Sequence, residues 1–275
     1  MTMLNYDFMQ RALIIGVVVS LICSTIGLFL VLKRFSMVGD TLSHVALAGV
    51  ATGMVLDIYP VYTAIAISIV ASLGIEKLRR EYEKYAEISL SIVLAAGIGV
   101  ASILINLYEG KTSGIMGYLF GSISLVTNED LYIVILLGLI IIASIVILYR
   151  SLFYTTFDEE HAKLSGLKVK SINIYFSILV ALTVTVSMRI VGILLVSSLM
   201  VLPVATSLQL ARSFKSALLL SNIFGLISVI SGLITSFYLD LSPGGAIVMA
   251  SLIILVIVMI AKNGLKIFNK RDVKI

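Results

Sequence analysis

FMQRALIIGVVVSLICSTIGLFLVL, residues 8–32, is the stretch that decides the fold class. It carries a single charged side chain, Arg11, and it is long enough to cross a bilayer, because a hydrocarbon layer of about 30 Å takes about 20 apolar residues as a helix. It is too long for the core of a signal peptide, and no small-residue cleavage pattern with a soluble domain follows it. We therefore interpret it as a retained first membrane span.

The rest of the chain has the same apolar character. Of its 275 residues, 60% are hydrophobic and 13% are charged, and the mean hydropathy is +1.13, whereas a soluble domain has roughly 45–50% apolar and 25% charged residues. Backbone groups in lipid must be hydrogen-bonded within the protein, and the alternation of a β-barrel is absent, so helices remain. The predicted fold class is all-α, a polytopic bundle in one transmembrane domain, 1–275, with about nine spans: 8–32, 38–56, 59–75, 88–107, 131–149, 171–187, 190–210, 216–238 and 244–261.

The cations indicate how these spans are oriented. Every odd-numbered span ends in a basic cluster, and the clusters are Lys33 and Arg34; Lys77, Arg79, Arg80 and Lys84; Arg150, Lys163, Lys168 and Lys170; Arg212 and Lys215; and the tail cations Lys262, Lys266, Lys270, Arg271 and Lys274. The other connections are acidic on balance, with Asp57, Glu109, Lys111, Glu129, Asp130, Arg189 and Asp240. The positive-inside rule then predicts an outside N-terminus and a cytoplasmic C-terminus. The net charge of +5 follows from this pattern, so no nucleic-acid partner is predicted.

The connection between spans four and five is longer than a turn. It contains KTSGIMGYLFGSIS, residues 111–124, and its glycines at 110, 114, 117 and 121 make small-xxx-small spacings. The segment is too short to cross the bilayer twice. It is either a half-helix folded back among protein or water, or a loop helix outside the membrane.

The predicted cytoplasmic connection after span five reads FDEEHAKLSGLKVK, residues 157–170. A short helix begun by Asp158 or Glu159 and stopped by Gly166 fits this pattern, with Phe157, Ala162 and Leu164 as its apolar side. Such a helix is either a solvated connector, with His161 in water, or an element on which a soluble motor protein acts.

The exceptional stretch is SMVGDTLSHVALAGVATG, residues 36–53. Ionisable residues inside a span are costly, and Asp40 and His44 stand four residues apart, on one face of a helix. A carboxylate and an imidazole so placed suit Zn²⁺, Mn²⁺ or Fe²⁺, with hydroxyls of Ser36, Thr41 and Ser43 nearby. The alternatives are a hydrogen bond between the two residues or capping of the helix after Lys33 and Arg34. Gly49 and Gly53 would allow another backbone to approach closely.

Other motifs are weaker. Gly110-Lys111-Thr112 is not a phosphate-binding loop, because Ile105 occupies the position of its first glycine. Gly97 and Gly99 lack the third glycine of a dinucleotide fingerprint and are interpreted as helix packing. Cys23 is the only cysteine and allows no intrachain disulfide. Pro203 predicts a kink that either shapes the bundle or lines a pore, with Ser197, Ser198, Thr206 and Ser207 able to satisfy the freed carbonyls.

Three segments resemble one known family. GDTLSH, residues 39–44, resembles the GDxLSH segment of the permease subunits of bacterial zinc, manganese and iron ABC importers, the ABC-3 type metal permeases. VGILLVSSLMVLPVATSLQLAR, residues 191–212, is similar to that family's span with a proline, small residues and an arginine. The third segment resembles the family's cytoplasmic coupling segment, and the residues that carry this resemblance are Asp158, Glu159, Ala162 and Gly166. The similarity extends from about residue 8 to residue 261.

This resemblance implies a homodimer in a prokaryotic cell membrane, two cytoplasmic ATP-binding cassette subunits, and an extracytoplasmic metal-binding protein that delivers the ion. It also implies that Asp40 and His44 face the path of a transported divalent metal ion, with no stably bound cofactor. ATP hydrolysis is then expected in a separate chain, so this chain is predicted to be a transport subunit and not an enzyme.

Other classes remain as alternatives. Importers of cobalamin or siderophores share the coupling design but would not need the Asp40 and His44 pair. A stand-alone secondary carrier would be expected to show repeated halves with broken helices, and no clear internal repeat is found. A membrane enzyme would need a denser set of His, Asp or Glu ligands than this sequence offers. The metal itself is not decided by the sequence, because Asp plus His fits several divalent ions.

Overall fold

The computed structural model describes residues 3–82, 86–108 and 113–271. After a 3₁₀ turn at Met3–Asn5, this part of the chain forms eleven α-helices: α1 (Asp7–Leu32), α2 (Ser36–Val55), α3 (Pro60–Glu81), α4 (Ala86–Leu107), α5 (Ser113–Phe120), α6 (Asn128–Phe157), α7 (Glu159–Leu164), α8 (Val169–Val191), α9 (Val196–Leu210), α10 (Phe214–Leu239) and α11 (Pro243–Arg271).

Nine of these helices, all except α5 and α7, are long and apolar enough to cross a membrane, and no strand occurs among the described residues. The all-α prediction with about nine spans is therefore confirmed. Several helices run beyond the predicted spans, because apolar content marks the lipid layer and not the helix end. α6 begins at a capping box in which Thr127 and Asp130 bond each other's backbone N–H. α3 continues to a last turn in which Arg79 and Arg80 donate to the buried Glu76.

The helices pack in two connected groups. α2 lies between α3 and α4, and it also contacts α8 and α9. α1 is the central helix of the second group and packs against α6, α8, α9 and α10, while α11 covers α9 and α10. The buried side chains of α1 include Ile22, Ile26 and Phe29, and Phe29 contacts the ring of Phe176 in α8 edge-on.

Small residues set the closest helix crossings, as is usual where lipid supplies no hydrophobic drive between helices. Gly27 of α1 lies against the backbone of Met200 in α9. A Cβ on Gly232 of α10 would be 2.5 Å from Cα of Ile247 in α11. These helices therefore meet backbone to backbone.

Consecutive spans alternate in direction, so the connections gather at two ends. We call the end with the α1–α2, α3–α4, α6–α8 and α9–α10 connections the basic end, because it carries the clusters of Lys and Arg. The opposite end carries the α2–α3, α4–α6, α8–α9 and α10–α11 connections. The assignment of the basic end to the cytoplasm stays a prediction from the positive-inside rule.

The 110–127 connection contains α5, which packs at the opposite end. Ile115 and Tyr118 are buried, and α5 contacts α2, α8 and α11. Gly114 lies near Met54, close to the last residues of α2. The predicted helix therefore exists and packs on the ends of the spans, while the residues 109–112 before it lie outside the described part of the chain.

Candidate functional site

Asp40 and His44 lie one turn apart in the first half of α2, as predicted, and both side chains are half-buried. The alternative that Asp40 caps this helix is wrong, because the N-cap of α2 is Phe35 and no side chain bonds there. Among the described residues no hydrogen bond joins Asp40 to His44. Both polar side chains are therefore left to face other groups from within a membrane-spanning helix.

The partner of Asp40 comes from α9. The hydroxyl of Ser197 donates to Oδ1 of Asp40 at 3.4 Å. α9 lies against α2 at this point: a Cβ on Gly39 would be in ordinary van der Waals contact, 3.4 Å from Sδ of Met200 and 3.9 Å from Cβ of Ser197. The sequence singled out Ser197 only as a possible partner of carbonyls freed by Pro203, so its contact with Asp40 is new.

The neighbouring hydroxyls of α2 are used within the helix. Thr41 donates to the Met37 carbonyl at 3.0 Å, and Ser43 donates to the Gly39 carbonyl at 2.8 Å. In the described part of the chain, no group of three or more His, Cys, Asp or Glu side chains could hold a metal ion. Asp40 and His44 thus offer two ligands of the kind that divalent transition metals accept, without a cage that would retain the ion.

The small residues of α2 do bring other helices close. A Cβ on Gly49 would be 2.5 Å from Cα of Ala64 in α3, and a Cβ on Gly53 would be 2.8 Å from Cα of Pro60, one turn earlier in α3. Gly97 of α4 lies against Val45, as expected for helix packing, whereas Gly99 has no atom within 4 Å of its Cβ position. The GxxxG pair therefore fixes α2 against α3, and Gly97 fixes it against α4.

Pro203 is buried in α9, and the helix continues through it from Val196 to Leu210. Thr206 donates to the Leu202 carbonyl and Ser207 to the Val204 carbonyl, both at 2.8 Å. Both bonds stay within α9, but neither carbonyl is that of Leu199, which lacks the N–H of Pro203, so satisfaction of the freed carbonyl by these hydroxyls stays a prediction. The pore-lining role of Pro203 stays a prediction.

The segment 157–170 forms the short helix that its sequence predicts. Asp158 is the N-cap of α7, and its side chain accepts from the backbone N–H of His161 at 2.8 Å and from the ring Nδ1 at 2.6 Å. The backbone N–H bond, followed by the side-chain contact with His161, lowers the pKa of Asp158. His161 is exposed, as expected, although it pairs with Asp158.

Gly166 ends α7 as predicted. It has φ +83, its N–H donates to the Lys163 carbonyl at 3.0 Å, and the N–H of Leu167 donates to the Ala162 carbonyl at 3.1 Å, which is a Schellman motif. The predicted apolar side is only partly right. Ala162 is buried, whereas Leu164 is 83% exposed and stands clear of the bundle.

A polar cluster at the opposite end of the bundle was not predicted from the sequence. Oδ1 of Asp130 in α6 accepts from the Arg189 guanidinium of α8 at 2.9 Å and from the Tyr59 hydroxyl at 2.6 Å. The Arg189 guanidinium also lies 4.5 Å from the ring centre of Tyr118 in α5. The sequence pattern places Asp130 and Arg189 among the loop charges, although the cost of an arginine among apolar residues is a signal that it has a charged partner.

Known proteins resemble this chain over most of its length. A sequence model described as the ABC 3 transport family matches residues 5–262. The manganese transport system membrane protein MntC of Listeria monocytogenes is 30% identical, covering 98% of this chain and 97% of that protein. The high-affinity zinc uptake system membrane protein ZnuB of Haemophilus influenzae is 29% identical, covering 94% of this chain and all of that protein.

A solved structure has the same fold. It is PsaBC from Streptococcus pneumoniae in complex with Fab, which is 28% identical, covers 93% of this chain and 92% of its own, and superimposes with a TM-score of 0.84. With nine candidate spans and membrane transport relatives, the chain is a multi-pass protein of a prokaryotic plasma membrane. The match over residues 5–262 confirms the resemblance found in the sequence: the chain belongs to the ABC 3 transport family.

Proposed function

We propose that this chain is the permease subunit of an ATP-driven importer that passes a divalent metal ion, zinc, manganese or iron, from an extracytoplasmic binding protein to the cytoplasm. The observation that carries the proposal is the placement of Asp40 and His44 one turn apart on α2, with Ser197 of α9 facing Asp40 at 3.4 Å. The names of the manganese and zinc relatives support a metal ion as the cargo.

The two side chains act as transient ligands. A carboxylate and an imidazole bind such ions without discriminating sharply between them, and two ligands release an ion more readily than a closed set of four. The transporter works as a homodimer, in which a second copy can add its own pair. The protein performs no covalent chemistry, and ATP is hydrolysed in separate ATP-binding cassette subunits.

The ATP-binding cassette subunits act on α7. Such a subunit can push on this capped, compact helix, whose coupling residues are Asp158, Glu159, Ala162 and Gly166. Leu164, exposed beside the half-exposed acidic side chains, offers an apolar contact for it. Capping at both ends makes α7 a rigid unit and not a flexible loop.

Uptake by the reconstituted complex tests the metal role. Asp40→Asn and His44→Ala should each reduce uptake of the transported ion roughly tenfold or more, because each removes a ligand from a two-ligand path. Zn²⁺, Mn²⁺ and Fe²⁺ are each tested as free ions, with complex assembly and ATPase content measured alongside. Asp240→Asn, at the exposed end of α10, is the matched control and should not change uptake. Wild-type uptake in Asp40→Asn and His44→Ala would refute the ligand role.

A further inference from the structure

The short connection between α1 and α2 is tied to α8 by a hydrogen bond to a buried amide. Nζ of Lys33 donates to Oδ1 of Asn173 at 2.9 Å and lies 3.4 Å from the Thr155 hydroxyl at the end of α6. Asn173, in the second turn of α8, is only 6% exposed. Burial of an amide costs free energy unless its donors and acceptor are bonded, so this position holds Asn173 in one arrangement.

The other half of the same amide binds α7. Nδ2 of Asn173 donates to Oε1 of Glu159 at 2.8 Å, and Glu159 lies in the first turn of α7. One side chain thus joins two segments that are 126 residues apart in the chain, Lys33 and Glu159. The helices that α7 itself packs against are α6 and α8.

Beside these bonds the basic end is open. A groove of about 710 Å³ runs past Phe35, Arg79, Glu159, Lys163 and Asn173. Solid packing therefore does not fill the space between α7 and the start of α2, and the Glu159–Asn173–Lys33 hydrogen bonds bridge it.

The connection from Lys33 to α2 is stiff. The N–H of Arg34 donates to the Val31 carbonyl at 3.1 Å, and the N–H of Phe35 donates to the Leu30 carbonyl at 2.8 Å, which closes the end of α1 as a Schellman motif. α2 begins at the next residue, Ser36, and Asp40 follows after about one turn. A displacement of Lys33 is therefore passed to the first turn of α2 and not absorbed by a loop.

We infer that the hydrogen-bonded chain Glu159–Asn173–Lys33 transmits movement of α7 to Asp40 and His44 on α2, with Asn173 as the positioning residue at its centre. This inference rests on the proposed role of α7 as the element moved by the ATP-binding subunits. It adds a defined path from that helix to the metal ligands, through Asn173 and Lys33, which lie outside both sites.

The test uses the reconstituted complex with its ATP-binding subunits, in which ATP hydrolysis and metal uptake are measured on the same vesicles. Asn173→Leu should leave hydrolysis near the wild-type rate and lower the metal carried per ATP about 2- to 30-fold, the range measured for residues that couple distant sites. Lys33→Met should give a similar fall, and the double variant should be no worse than either, because both break one chain.

Asn222→Leu is the matched control. Asn222 of α10 also bonds across helices, since its Nδ2 donates to the Thr25 hydroxyl of α1 at 3.2 Å, but it lies outside the proposed chain. It should retain the wild-type ratio of uptake to hydrolysis. An equal fall in Asn222→Leu would mean that any lost interhelical bond uncouples the transporter, and would overturn the assignment.

The pH profile provides a readout that a purely structural role would not change. Burial lowers the pKa of Lys33 to about 8, against the opposing effect of Glu159, with Arg79 and Glu76 of α3 also facing the amine. Above that pH the amine loses its charge and bonds Asn173 more weakly. Uptake per ATP should fall as the pH rises through about 8. In Lys33→Arg this fall should be absent near pH 8, because the guanidinium stays charged.

A label on α2 separates failure of this inference from failure of the proposed function. Met37 is 57% exposed, so Met37→Cys accepts a spin label, and its distance to a label at Asp240→Cys is measured with and without ATP in the Cys23→Ser background. An ATP-dependent shift should occur in this doubly labelled parent and after Asn222→Leu is added to it, and it should be lost when Asn173→Leu is added. A shift that persists in Asn173→Leu overturns the relay whatever ion is carried, whereas wild-type uptake in Asp40→Asn overturns the metal role alone.

Discussion

At the opposite end of the bundle, the connecting segments contact each other through their backbones. At the basic end, the segments are joined by long side chains across open space. Gly121 after α5 touches the Ile190 carbonyl of α8, and a Cβ on Gly192 would be 2.5 Å from the Gly121 nitrogen. Gly244 of α11 touches the Val191 carbonyl at the same junction. Three connections are therefore locked together without any intervening side chain.

The charges follow the same contrast. At the opposite end Asp130 is 1% exposed, and it is paired with Arg189 and hydrogen-bonded by Tyr59. Burial, followed by the hydrogen bond to Asp130, raises the pKa of Tyr59, so its hydroxyl stays a donor. At the basic end Glu76 is also buried, at 4% exposed, but it shares its oxygens between two arginines, Arg79 and Arg80, which are both partly in solvent.

This difference suggests that the opposite end is rigid and that the basic end can rearrange. Close-packed backbones and buried ion pairs have few alternative arrangements, while bonds between long side chains beside a groove can be exchanged at low cost. With the orientation predicted from the cations and the function proposed above, the adaptable end is the one that would face the ATP-binding subunits. If the two ends differ in this way, comparable substitutions should cost more free energy of unfolding at the opposite end than at the basic end.

The largest effect is expected from Arg189→Leu. It leaves the Asp130 carboxylate buried without its counter-ion, which should lower the free energy of unfolding by about 3–5 kcal/mol. Arg79→Leu at the basic end is the comparison, because Glu76 keeps Arg80, and it should cost about 1 kcal/mol or less. Steric trapping in bicelles measures both values. Equal losses would show that the opposite end is no more rigid than the basic end.

A second effect, of about 2–4 kcal/mol, is expected from Gly121→Ala. The backbone has φ +77 there, which costs about 1–2 kcal/mol for a residue with a Cβ, and the new methyl group would strike the Ile190 carbonyl. The free energy of unfolding is again the measurement, and Gly99→Ala, with no atom near its Cβ position, is the control. A loss below about 1 kcal/mol would mean that the junction relaxes freely.

Local features of the fold could be predicted from the sequence. The spans follow from apolar stretches of bilayer length, and both ends of α7 follow from residues within it, the Asp158 cap and Gly166. The shared face of Asp40 and His44 follows from helical spacing alone. These features depend on residues a few positions apart, so a single sequence contains them.

Contacts between distant segments could not be predicted in this way. Ser197 reaches Asp40, and Asn173 reaches Lys33, only because particular helices are neighbours in the bundle. Nothing in the local pattern of either segment specifies that neighbour. The Thr127–Asp130 capping box is different: its spacing was visible in the sequence, and it would have moved the predicted start of α6 from 131 to 128.

The smallest effect is expected from Gly166→Ala, a substitution at the basic end that can be compared directly with Gly121→Ala at the opposite end. Gly166 and Gly121 have nearly the same φ, +83 and +77, but no atom lies within 4 Å of the Cβ position of Gly166. Only the conformational cost of about 1 kcal/mol should remain, confined to the end of α7.

Hydrogen exchange is the appropriate measurement for this last change, because the loss is local. The amides of Gly166 and Leu167, which close the Schellman motif, should exchange about fivefold faster, since about 1 kcal/mol of local opening free energy corresponds to that factor. Ser165→Ala, the neighbouring substitution at the C-cap, should leave both amides protected. If Gly166→Ala instead destabilised the whole bundle as much as Gly121→Ala, α7 would have to be packed as rigidly as the opposite end, and movement at the basic end could not be confined to side-chain bonds.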